Sequence, residues 1–131
     1  MPSRKQSRKR TPDWRPAQEM LICPLAELPA DTARGFTLDG PQDERLDIII
    51  WNRACKIAGF VNQCPHLGLP LETFPDRFLS ADGTHLICSA HGAQFDPNGA
   101  CFAGPCKGDA LTPLKLHVRD GAIYLPDGSD R

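Results

Sequence analysis

The chain has no apolar run near the ~20 residues that a membrane-spanning helix needs. Its longest strongly apolar stretch is residues 48–51, IIIW. No apolar segment follows the basic N-terminus, so that terminus does not read as a secretory signal. No Gly-rich dinucleotide fingerprint follows a strand-like run, and nothing indicates an NAD or flavin site. No repeat at a fixed period occurs, and no stretch of ten residues reads as a helix. These absences leave a one-domain chain of 131 residues with ordinary hydrophobic (40%) and charged (24%) content. The expected compartment is the cytoplasm, without membrane attachment.

Acid is missing from residues 1–10, which hold five of the fifteen Lys and Arg residues. Residues 11–131 therefore carry ten bases against sixteen acids. A basic tail can touch nucleic acid, but no aromatic interleaves with these bases, so no nucleic-acid partner is expected. The expected organisation is a disordered basic tail over 1–18, one folded domain over 19–126 and a flexible C-terminus over 127–131.

Thirteen prolines and eleven glycines point to short strands and many loops. Strand-like runs occupy residues 20–25, 35–38, 46–51, 56–61, 85–88 and 94–96, with one turn of helix possible over 25–28. The runs 46–51 and 56–61 are expected to pair as a hairpin. Leu114, Leu116 and Val118 alternate with polar residues, as in one half-buried strand. Asp120-Gly121 then turns the chain tightly into 123–125. The fold class is all-β, a small antiparallel barrel or sandwich.

Residues 62–110 differ from their flanks. They hold four of the six cysteines and three of the four histidines among many Gly and Pro residues, and read as a metal-binding insert between strands. In a reducing compartment such cysteines suggest metal ligation. Two motifs stand out: Cys64-Pro65-His66-Leu67-Gly68, a C-x-H, and Cys88-Ser89-Ala90-His91-Gly92, a C-x-x-H, with 21 residues between His66 and Cys88. Each supplies one thiolate and one imidazole. Two Cys and two His can hold structural zinc, but the single residue inside Cys64–His66 is narrower than zinc-finger spacing. Soft thiolates also suit ferric iron with bridging sulfide, and neutral imidazoles on a second iron raise the reduction potential.

The two motifs resemble the Rieske family. The flanks agree: Asn62-Gln63 before the first, and Ala93-Gln94-Phe95-Asp96 after the second. Residues 99–105, GACFAGP, resemble that family's third loop, which covers the cluster. The resemblance implies a Rieske-like base with an inserted cluster-binding subdomain (about 62–110) and a 2Fe–2S cluster. It implies Cys64 and Cys88 on the inner iron, and His66 and His91 on the outer iron through Nδ1. No other catalytic residue is implied.

Rieske proteins of respiratory and photosynthetic complexes link their cluster loops by a disulfide, where this chain has Leu69 and Ala90. They also place a Ser and a Tyr, donors to a bridging sulfide and a cysteine sulfur, where this chain has Ala93 and Phe95. Neither residue can donate such a bond, which implies a low-potential centre. Backbone donors around Gly68 and Gly92 are still expected at the sulfurs. The implied role is a single-electron ferredoxin between a flavoprotein reductase and an oxygenase. Alternatives are a small subunit of a larger, nitrite-reductase-like reductase and a redox-sensing module. A Rieske oxygenase needs a further 2-His-1-carboxylate iron; only His85 and His117 remain for one, so the chain is not expected to be an enzyme on its own.

Other residues read as structural. Cys23, Trp51 and Phe60 are expected in the core, and His85 and His117 at the surface. Cys101 and Cys106 could pair, ligate or pack; two free thiols are expected. Leu67, Leu69, Pro70 and Pro105 could form an apolar docking tip.

Overall fold

The computed structural model describes residues 11–53, 56–65, 70–71, 77–88 and 92–128. Among these described residues ten strands run in chain order: β1 Met20–Pro24, β2 Thr32–Asp39, β3 Arg45–Asn52, β4 Ile57–Val61, β5 Leu86–Ile87, β6 Gln94–Phe95, β7 Cys101–Ala103, β8 Pro113–Leu114, β9 His117–Arg119 and β10 Ala122–Leu125. The single helical element described is a 3₁₀ turn at Leu25–Glu27. The all-β expectation holds. The strands form three open antiparallel sheets, ordered β1-β10-β9, β2-β3-β4-β8 and β5-β6-β7.

The middle sheet is built around β3. Side chains alternate faces along a strand, and here both faces are buried. Ile49 and Trp51 enter one apolar core with Phe60, Phe78, Leu86, Phe95, Leu111, Cys64 and Cys88. Leu46, Ile48 and Ile50 enter another with Val61, Leu114, Ile123 and Leu125. The run of β-branched residues read as a strand is therefore a strand covered on both sides, which explains why it is continuous rather than alternating. β3 pairs with β4 from Ile48↔Val61 to Asn52↔Ile57, giving the expected hairpin.

The β9–β10 hairpin also matches expectation. Asp120 and Gly121 lie at φ 52° and 74°, so both central residues take the positive φ of a type I′ turn. Residues 114–118 do not form one strand. Leu114 pairs with Gly59 in the middle sheet, whereas His117 pairs with Tyr124 in the first. The chain changes sheets in between, and Val118, expected inward, is 47% exposed. The strand β7 was not expected at all.

Residues 11–18, assigned to the tail by composition, contact the sheet. The Thr11 amide donates to the Arg45 carbonyl (2.7 Å), and Trp14 packs on the second core. Near the other end the Gly128 amide donates to the Pro16 carbonyl (2.9 Å). Residues 1–10 and 129–131 lie outside the described residues.

Candidate metal centre

The first motif follows β4 directly. The Asn62 amide donates to the Asp47 carbonyl (2.8 Å), and the Asn62 carboxamide Oδ1 accepts from the Leu71 amide (2.8 Å). One buried side chain thus ties residue 71 back to the start of the loop. A buried amide left without such a partner costs about 1–3 kcal/mol. Cys64, two residues on, is buried at 1% exposure. His66 and Leu67, with Gly68 and Leu69, lie outside the described residues.

The second motif lies in the chain between β5 and β6. The Cys88 amide donates to the Ala93 carbonyl (2.8 Å), and the Gly92 amide donates to the Cys88 carbonyl (2.8 Å). These bonds commit the Gly92 N–H to the Cys88 carbonyl, so of the backbone donors expected around Gly92 this one is engaged within its own motif. Cys88 is 1% exposed. Ala90 and His91 lie outside the described residues. Among the described residues no group of three or more His, Cys, Asp or Glu side chains is placed to hold a metal.

Cys64 and Cys88 join the same apolar core, together with Ala93 and Phe95, both fully buried. The apolar pair replaces any hydroxyl donor at these positions. The third loop packs against the second motif. Gly104 has φ +96°, and a Cβ there would lie 2.6 Å from the Ala93 Cα. Only glycine meets both the conformation and the approach.

Two further thiols come from this third loop. Cys106 Sγ donates to Cys101 Sγ at 3.0 Å, and Cys101 Sγ donates to the Ala103 carbonyl at 3.2 Å. Both cysteines are buried and free, as expected. Burial foremost, then the Cys101 sulfur and after it that of Cys64, pushes the Cys106 thiol up to about 12. The sequence reading named this thiol pair but missed its convergence with Cys64 and Cys88 in one core. Its one signal was the density of cysteine in a Gly/Pro-rich stretch.

The remaining expectations separate clearly. Cys23, Trp51 and Phe60 are buried; burial raises the Cys23 pKa. His85 and His117 are half-buried rather than fully exposed. His85 stands edge-on to Phe102 and contacts the Thr84 hydroxyl at 3.0 Å. His117 Nδ1 lies 3.2 Å from Glu19, which also pairs with Arg119. Of the presumed docking tip, Pro70 is half-buried and Pro105 exposed, and the exposed Phe102 (46%) stands in the same loop as Pro105. No helix among the described residues is long and apolar enough to cross a membrane.

Two motifs thus each bring a buried thiol to one apolar core, beside a third, glycine-dependent loop. Residues 18–117 match the Rieske [2Fe-2S] domain, and the chain belongs to that family and carries its 2Fe–2S cluster. The donor set fits the group: two buried thiols, with one C-x-H and one C-x-x-H motif. No curated protein matches. Among solved structures, the ferredoxin of carbazole 1,9a-dioxygenase from Nocardioides aromaticivorans IC177 is similar at 19% identity and TM-score 0.65, over 84% of this chain and 98% of that one. A complex of reduced oxygenase and oxidized ferredoxin in carbazole 1,9a-dioxygenase gives 18% identity and TM-score 0.65, over 84% and 94%. The terminal oxygenase of carbazole 1,9a-dioxygenase from N. aromaticivorans IC177 gives 15% and 0.69, over 91% of this chain but 32% of that one. The fold is therefore that of a Rieske ferredoxin, and its redox centre supports an electron-transfer role.

Proposed function

We propose that Cys64, His66, Cys88 and His91 hold the 2Fe–2S cluster of a low-potential single-electron carrier. Electrons would come from a flavoprotein reductase and go to an oxygenase. The observation that carries the low potential is the full burial of Ala93 and Phe95 in the core shared by Cys64 and Cys88. Hydrogen bonds to cluster sulfurs stabilise the reduced, more negative state. Here the side chains at those two positions offer none, and the Gly92 amide is engaged with the Cys88 carbonyl.

When bound, the cluster supplies a one-electron couple and the positive charge that keeps its cysteine ligands as thiolates. The chain's own residues do the rest. Asn62 and the Cys88–Ala93 bond set the two loops, and residues of about 62–110 act as the cluster-binding insert on the base sheets. Phe102 and Pro105 offer a small apolar surface beside the loops, which suits weak redox encounters of limited area. An oxygenase as acceptor is supported by the similar ferredoxin solved in complex with one.

The test is a reconstituted chain. Reduced protein should show the EPR signal of a Rieske cluster. It should also support turnover of a Rieske oxygenase when supplied with a flavoprotein reductase. A silent spectrum with bound zinc would overturn the ligand assignment. A permanent large partner that co-purifies, with no transfer to any oxygenase, would overturn the carrier role in favour of a subunit of a larger reductase.

A further inference from the structure

The third loop contains chemistry that ligation does not use. Cys101 and Cys106 are four residues apart in the intervening count, and their sulfurs lie 3.0 Å apart. A covalent S–S bond is about 2.05 Å, so pairing requires an approach of roughly 1 Å. The loop is already closed for it. The Cys101 amide donates to the Asp109 carbonyl (2.8 Å), and the Gly108 amide donates to the Cys101 carbonyl (3.3 Å). Inside that closure the Lys107 amide donates to Gly104 (3.2 Å), and the Asp109 amide to Cys106 (2.8 Å). The sulfurs themselves are covered, but Phe102, Gly104, Pro105, Lys107 and Gly108 around them are exposed. One layer of loop separates the pair from solvent, and thiol exchange requires only that this layer open locally.

We propose that Cys101 and Cys106 are a reversible dithiol–disulfide switch that sets the potential of the neighbouring cluster. The proposal rests on the assignment of Cys64 as a cluster ligand. The oxidant is a low-molecular-weight disulfide, RSSR. The thiolate of one cysteine attacks it, forms a mixed disulfide and expels RS⁻, which takes up the released proton. The second cysteine attacks the mixed disulfide at the first cysteine's sulfur. The S–S bond closes, and the second RS⁻ leaves with the second proton. In total two protein thiols are oxidised by two electrons, and one RSSR becomes two RSH. An excess of RSH reverses both steps. The consequence reaches the cluster through the core, because Cys101 and Cys106 are buried in the same group of side chains as Cys64 and Cys88. As a disulfide sulfur, Cys106 has no hydrogen to donate. A cluster with fewer S–H dipoles beside its ligand sulfurs stabilises the added electron less, so its potential falls.

The experiment holds cluster-loaded full-length protein at graded ratios of reduced to oxidised glutathione, without oxygen. Remaining thiols are then alkylated, and the intact mass and peptide map are read. The expected result is one internal bond between Cys101 and Cys106, reversed by excess reduced glutathione. The cluster's optical spectrum should persist while its midpoint potential falls. Cys101→Ser and Cys106→Ser should each abolish the bond and the response, and Cys23→Ser should change neither. The switch is overturned if both thiols stay alkylatable at every ratio, or stop at a mixed disulfide. It is equally overturned if the bond forms at unchanged potential. Failure of the ligand assignment is read separately, as absence of the cluster signal in fully reduced protein.

Discussion

Restoring the missing sulfur donors should raise the cluster's potential. The perturbations are Ala93→Ser and Phe95→Tyr, both at fully buried positions in the core that holds Cys64 and Cys88. A hydrogen bond to a charged group contributes about 1.5–3 kcal/mol. Only the part that differs between oxidation states moves the potential, and about half of the upper figure, ~1.4 kcal/mol, is a reasonable share. For a one-electron couple that is about 59 mV. Each substitution should therefore raise the midpoint by about 60 mV. The pair should give somewhat less than twice that, since neighbouring sites are not additive. Potentiometric titration followed by EPR measures it. Thermal unfolding provides the control, because a tyrosine hydroxyl that misses the sulfur is left buried at a cost of about 1–3 kcal/mol. Two stable, cluster-loaded variants with unmoved midpoints would refute the reasoning. So would a wild-type midpoint well above about 0 mV, because the reading places it near the low end of about −150 to +300 mV.

Gly104→Ala should destabilise the centre, since the new Cβ would meet the Ala93 backbone at 2.6 Å in a left-handed conformation. The strain alone costs about 1–3 kcal/mol, read as a lower melting temperature and faster loss of visible absorbance. Asn62→Ala strips the Leu71 amide of its acceptor and should cost about 1–3 kcal/mol, with accelerated cluster release to a chelator. Glu19 is held at a pKa of about 2, against an ordinary 4.5, first by its bond to Arg119 and then by that to His117. A lowered carboxylate pKa stabilises the fold fully above pH 4.5, and that contribution disappears as pH falls from there through 2. Glu19→Gln should remove this pH dependence with only a small loss at neutral pH, because the pair is partly exposed; urea melts at pH 7 and pH 3 compare them.

What was legible in the sequence was local. The IIIW run announces a strand because the extended preference of β-branched residues needs no distant partner, whereas its burial on both faces emerged only with the two cores. Asp120-Gly121 announces its hairpin because the turn chemistry lies within two residues. Residues 114–118 misled for the opposite reason. Their alternation fits one strand, but Leu114 answers to Gly59 and His117 to Tyr124, and pairing with two different sheets cannot be read from a local pattern. β7 was invisible likewise: Cys101-Phe102-Ala103 is strand only because β6 pairs with it. Cys64 and Cys88 were legible through their motifs. Their convergence with Cys101 and Cys106 in one core depends on the third loop folding back over Ala93, which only the glycine at 104 hints at.

The placement of β3 explains how such short loops can hold a redox centre. Strands of two or three residues, like β5, β6 and β7, contribute few ladder bonds and could not fix loop geometry alone. They are instead packed on Ile49, Trp51 and Phe60, which project from the long central hairpin. The opposite face of that hairpin is pinned by Ile48, Ile50 and Val61 against the first sheet. A shift of the cluster-side residues would have to drag the other core with it. Sites held on rigid, doubly supported elements keep their geometry far better than sites on free loops. A one-electron centre benefits directly, because its loops need not rearrange when charge arrives. Truncating Trp51 to Ala, at 1% exposure, would remove that support from beneath. At about 3–5 kcal/mol for a buried Trp, it should release the cluster before the rest of the chain unfolds, with visible absorbance lost below the melting transition seen by circular dichroism. Coincident transitions would show instead that the two cores fail as one unit.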